Sequence, residues 1–138
     1  MTPTQITLVQ DSFALVEPIA DQAATLFYGR LFDIAPDVEP LFTGDMAEQG
    51  RKLMTTLGVV VRGLDEFDQL LPVAANLASR HVDYGVQPHH YDEVGAALLW
   101  TLATGLGEAF TPDVEAAWTT AYTALAEAMI TSAYATTA

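Results

Sequence analysis

Apolar residues recur every three or four positions through almost the whole chain, and proline or glycine falls where each run stops. A period near 3.6 commits a segment to an amphipathic helix, because one face then needs covering and the other does not. Ile6, Val9, Phe13 and Val16 form such a stripe over Thr4 to Val16, ending before Pro18. Ala24, Phe27, Tyr28, Leu31 and Phe32 form a second over about Ala20 to Ile34. Pro36 and Pro40 bracket Asp37-Val38-Glu39 too closely for a full helix, leaving one short turn before Leu41-Phe42 and a loop at Thr43-Gly44-Asp45. Met46, Gln49, Leu53, Leu57 and Val60 share a face over about Met46 to Val61, with Gly63 as the stop. Leu70, Val73, Ala74, Leu77, Ala78 and His81 do so over about Phe67 to Val82, with Pro72 in an early turn and Gly85 as the stop. Pro88 opens a segment to about Phe110 that holds Val94, Leu98, Leu99, Trp100 and Leu102. Thr111-Pro112-Asp113 supplies a capping hydroxyl, a proline suited to the first turn and an acid there, a start signal for Val114 to Tyr134. Neither alternating apolar runs nor Asn-Gly turns announce strands. The expected fold is all-α, a single domain over residues 1–138 whose helices pack around a shared core.

Composition narrows the chemistry. The 138 residues include no cysteine, so disulfides, thiolate metal sites and thiol catalysis are excluded, and a bound metal would need His, carboxylate, Tyr or Met. Net charge is −13, which repels a phosphate backbone or an anionic membrane, so nucleic acid and membrane are not expected partners. The five basic residues are Arg30, Arg51, Lys52, Arg62 and Arg80, and none follows Arg80. No apolar run reaches the length of a membrane span, and Met1 to Gln5 lacks the features of a secretory leader, so the expected location is cytoplasmic. No nucleophile elbow, phosphate-cradling glycine loop or His-Glu-x-x-His pattern is present.

Three polar side chains stand on apolar faces. His81 continues the stripe of its helix one turn after Leu77. It is either a core imidazole bonded to a carbonyl or a metal ligand whose second ring nitrogen is fixed by a neighbour. Gln49 lies one turn before Leu53 and must bond to protein or to something bound, since a buried amide without partners is costly. Tyr28, between Ala24 and Leu31, is either a core tyrosine or a donor into a cavity. His89 and His90 read as surface or helix-start residues, because adjacent helical side chains diverge.

These residues are ordered as in a known family. The segment Leu77-Ala-Ser-Arg-His81-Val-Asp-Tyr-Gly85-Val86-Gln-Pro-His-His-Tyr91, followed by Val94-Gly95-Ala-Ala-Leu98-Leu99, resembles the proximal helix, corner and next helix of bacterial globins. Leu26-Phe27-Tyr28-Gly-Arg-Leu31-Phe32, with Pro36, Pro40, Leu41 and Phe42, is similar to their distal half. The chain thus resembles single-domain bacterial haemoglobins and the haem domain of flavohaemoglobins over almost its full length. The resemblance implies a globin fold with haem b, iron protoporphyrin IX, between the distal and proximal helices. His81 would be the axial ligand to iron. Tyr28 and Gln49 would be distal donors, with Leu53 beside them. Phe42, Leu77, Val86, Val94 and Leu98 would wall the porphyrin slot, Tyr91 would stand beside the proximal histidine, and Lys52 and Arg80 would meet the propionates.

The implied function is reversible binding of O₂, CO and NO for storage, delivery or scavenging. Dioxygenation of NO with an external reductase, or gas and redox sensing through a separate partner, are the alternatives; a haem-free helical interaction module is a further one. One departure bears on this. Flavohaemoglobins add a glutamate to the proximal histidine and tyrosine, and that position aligns with Ala133, which implies a weaker anionic push on the histidine and less peroxidase-like chemistry.

Overall fold

The computed structural model describes residues 2–41, 45–83 and 90–134, with only the backbone described for 41, 80–83 and 132–134. Six helices run through these residues: α1 (Pro3–Val16), α2 (Ala20–Ile34), α3 (Met46–Arg62), α4 (Phe67–Asp83), α5 (His90–Leu106) and α6 (Pro112–Tyr134). Short 3₁₀ turns lie at Glu17–Ile19, Pro36–Leu41, Leu64–Glu66 and Gly107–Ala109. No strand occurs among the described residues, and none of their helices is long and apolar enough to cross a membrane.

Local chemistry explains most boundaries. Thr2 and Gln5 form a reciprocal capping box at the start of α1, each side chain satisfying the other's backbone N–H. The Asp45 carboxylate accepts from the Ala47 N–H and starts α3. Gly63 ends α3, its N–H bonding back to the carbonyls of Val59 and Val60. A Cβ there would stand 2.8 Å from Leu70 Cδ2, so a side chain would make that leucine shift. Thr111 caps α6, its hydroxyl accepting from the Val114 N–H at 3.3 Å.

Two expectations change. The segment expected to run to Phe110 stops at Leu106, because Gly107 adopts φ 56°, a left-handed conformation that glycine tolerates and that breaks the helix. Pro72 stands in the second turn of α4, an early turn as expected; it is solvent-exposed, so the carbonyl that loses its N–H partner can turn to water. Val73, expected on the inner face, is 36% exposed, because α4 presents Leu70, Ala74 and Ala78 to the interior instead. Gly85, Pro88 and His89 lie outside the described residues.

α2 packs against α5 and α3, while α1 and α4 pack against α6. The largest cluster joins Val9, Phe13 and Val16 of α1 to Val60 and Val61 of α3, Leu102 of α5 and Trp118 of α6. Trp118 is polar at one atom, and its indole N–H donates to Ser12 Oγ at 2.8 Å; that hydroxyl lies 2.7 Å from the Leu8 carbonyl, its acceptor in α1. Trp100, by contrast, is 37% exposed on α5, where the Arg30 guanidinium sits 5.3 Å from its ring centroid. A second cluster, Phe27, Leu31, Ala35, Val38 and Ala97, fixes α2 on α5. Leu31 is 1% exposed, and burying a leucine that fully is worth about 2 kcal/mol.

Candidate functional site

The site grows out of the α2–α3 crossing. Gly50 lets the two helices approach, since a Cβ there would lie 2.9 Å from the Ala24 Cβ. Ala24 is one turn before Tyr28, and Gly50 directly follows Gln49, so the same close approach brings those two residues together. The Tyr28 hydroxyl donates to the Gln49 backbone carbonyl at 3.4 Å, a long bond that a better-placed acceptor could displace. The Tyr28 ring is held from both sides, edge-on to Phe27 with centroids 5.2 Å apart and stacked on Phe32 at 6.0 Å. Burial pushes its hydroxyl up to about 12, so it remains a proton donor at neutral pH.

Leu53 of α3 and Val94 and Leu98 of α5 pack against the same apolar cluster as Tyr28. Tyr28, Gln49, Leu53, Leu77, Val94 and Leu98 are each half-buried, neither sealed in the core nor turned fully to water. Leu77 and Tyr91 belong to a neighbouring cluster with Ala74, Ala78 and Met129, at the contact of α4 with α6. The expected pocket residues thus fall on two separate clusters.

His81 and Arg80 lie on the last turn of α4, which places the histidine's backbone where the sequence pattern put it; their side chains are outside the described residues. Phe42 and Val86 also lie outside them. Lys52 projects from α3 with its side chain 68% exposed and its ammonium 3.8 Å from Glu48 Oε1, one turn earlier. A surface pair of this kind holds the lysine only loosely.

Tyr122 escaped the sequence reading, and the burial of His90 did too. Tyr122 of α6 donates its hydroxyl to the Tyr91 backbone carbonyl at 2.6 Å. Burial, joined by the nearby Tyr91 and Asp92, pushes the Tyr122 hydroxyl well above its ordinary range. Its ring lies against Gly95, where a Cβ would stand 2.7 Å from Tyr122 Cε2. The glycine was the available signal, since a glycine inside a helix often marks a close approach. His90 opens α5, as one of its two sequence readings allowed, but it is 6% exposed rather than at the surface. Its Nε2 lies 3.3 Å from Asp37 Oδ2, tying the proline-bracketed turn to the start of α5.

The chemistry of the residues present fits a largely apolar group. Half-buried aliphatic side chains supply contact surface, and a protonated phenol faces in among them. Among the described residues no group of three or more His, Asp and Glu could hold a metal ion.

Comparison with known proteins adds an independent line. The family model described as Globin matches residues 25–129. A flavohemoprotein of Vibrio cholerae is 30% identical over 133 residues, covering 94% of this chain and 34% of its own length. One from Pseudomonas aeruginosa is 32% identical over 134 residues, again 94% of this chain and 34% of its own. The chain therefore spans about a third of the length of these curated relatives. Among solved structures, a bacterial globin from Campylobacter jejuni superposes with a TM-score of 0.84 at 25% identity, covering 96% of each chain.

Proposed function

The chain belongs to the globin family, and from that premise we propose that it binds haem b and, through it, O₂ and other diatomic gases. When bound, haem supplies an iron with an open position at which O₂, CO or NO can attach and leave. The rest is the work of this chain's side chains. His81 is the residue assigned to hold the iron, being the histidine at the end of α4 in the family's order. Leu53, Leu77, Val94 and Leu98, with Phe42 and Val86, wall the slot and keep water out. Tyr91 stands beside the proximal side, and Lys52 and Arg80 are the cations available to the propionates. Tyr28 and Gln49 aim donors at the gas, where hydrogen bonds favour a ligand that gathers negative charge.

The observation that carries this reading is the Tyr28 phenol, buried enough to hold its proton up to about 12, in the same apolar cluster as Leu53, Val94 and Leu98. A pocket of aliphatic walls with one fixed donor suits a small, weakly polar ligand that becomes a hydrogen-bond acceptor on binding. The flavohemoprotein relatives favour a second reading, in which O₂ and NO combine to nitrate with electrons from a separate reductase.

Visible spectra of the purified protein, as isolated, after dithionite and then under CO, test the proposal. A Soret band that shifts on CO binding, and is lost in His81→Ala unless imidazole is added, is the expected result. A colourless protein that takes up no added haemin would overturn it and return the chain to the class of helical interaction modules. Rapid nitrate formation from NO in the presence of O₂ and a reductase would move the assignment to the second reading.

A further inference from the structure

Away from this site, an open groove runs along the contact of α4 with α6. It comprises two adjoining hollows of about 530 and 560 Å³ that share Phe67 and Ala124. Its α4 side is built by Phe67, Leu71 and Ala75, at successive one-turn spacings, and its α6 side by Ala124 and Ala128. Leu71 is 44% exposed and contributes apolar surface to this wall. Small alanines on one wall and a leucine on the other leave a trough into which side chains of another helix can fit.

Charge says what kind of helix. Asp65, Glu66 and Asp68 line one end of the groove and Glu127 lines the other. The first Lys or Arg in the sequence is Arg30 and the last is Arg80, so α1, α6, the turn at Leu64–Glu66 and α4 up to Ser79 carry none. The neighbouring cation, Arg62, is directed elsewhere, with its guanidinium 3.9 Å from Glu17 Oε2. An acidic rim around an apolar floor attracts a cationic amphipathic surface and repels an anionic one. A second copy of this chain, itself at −13, would set carboxylates against carboxylates.

We propose that the α4–α6 groove docks a helix of a partner protein, apolar along one stripe and flanked by Lys and Arg. Apolar anchors spaced at one helical turn would seat against Phe67, Leu71 and the alanines, while the flanking cations meet Asp65, Asp68 and Glu127. The inference is independent of the gas-binding reading, because none of the groove residues belongs to the haem-site set.

The probe is a synthetic peptide of about sixteen residues, with leucine at helical spacing and lysine elsewhere, paired with a scrambled peptide of identical composition. Amide shift mapping should confine the response to residues 67–75 and 124–131. Leu71→Gln, at an exposed position, should weaken binding about tenfold, and the double change Asp68→Lys with Glu127→Lys about as much, with binding falling steeply as salt rises. Equal affinity for the scrambled peptide, shifts spread over the whole surface, or indifference to both variants would overturn the proposal. Sedimentation showing a dimer that Leu71→Gln dissolves would also overturn it, assigning the groove to a second copy.

Discussion

Tyr28 is where the chemistry of one residue can be read most directly. A hydrogen bond to an acceptor carrying partial charge is worth about 1–2 kcal/mol, and its loss shortens the life of the bound state by about a factor of ten. Tyr28→Phe is expected to raise the O₂ dissociation rate by about that factor in stopped-flow measurements; an unchanged rate would remove Tyr28 from the distal role. The same hydroxyl sets a pH limit. Its proton is held more tightly in the folded chain, at about 12, than at the ordinary value of 10.0. Below pH 10 the group therefore adds no pH dependence, and above it the folded state loses stability as the unfolded chain ionises first. Urea denaturation between pH 10 and 12 should show a smaller decline in Tyr28→Phe than in the parent chain. Periodicity put Tyr28 and Gln49 each on the inner face of its helix; that the two stand together was implied only by the family resemblance. That the Tyr28 hydroxyl reaches the Gln49 backbone carbonyl was not, since sequence periodicity places side chains on faces but says nothing of carbonyls across a crossing.

At the scale of helices, close approaches decide the geometry. Gly50→Ala would place a methyl 2.9 Å from the Ala24 Cβ and force α2 and α3 apart, a strain costing about 1–3 kcal/mol. The expected result is a lower urea midpoint together with faster O₂ release, because Tyr28 rides on α2 and Gln49 on α3. Ser12→Ala addresses a different contact. It would leave the Trp118 indole N–H buried without its acceptor, and calorimetry should register a loss of about 1–3 kcal/mol without effect on gas binding. The sequence foretold α1, α2, α3 and α6 closely because their ends carry caps, prolines or glycines whose mechanism is local. It overran α5, where Gly107 ends the helix through a left-handed backbone that the apolar Ala109 and Phe110 beyond it concealed. It missed the Ser12–Trp118 and Tyr122–Tyr91 bonds for one reason: both join residues distant in sequence, and a serine or tyrosine on an inner face does not announce its partner.

For the molecule as a whole, charge is the governing quantity. With −13 on 138 residues, folding concentrates mutually repelling carboxylates, and the Lys52–Glu48 and Arg62–Glu17 ion pairs, at 3.8 and 3.9 Å, are exposed and long. Raising sodium chloride from about 10 mM to about 150 mM shortens the screening length to about 8 Å. The urea midpoint should rise over that range with an unchanged slope; a fall would mean that attractive pairs outweigh the repulsion. The two tryptophans carry a consequence of another kind. Trp118 is sealed at 2% exposure against Ser12, and Trp100 is 37% exposed beneath Arg30. In the haem-free chain, the light each emits should therefore differ in colour and in its access to dissolved quenchers. Neutral acrylamide should dim the bluer emitter little and the redder one strongly, while iodide, turned away by the anionic surface, should reach even the redder one poorly.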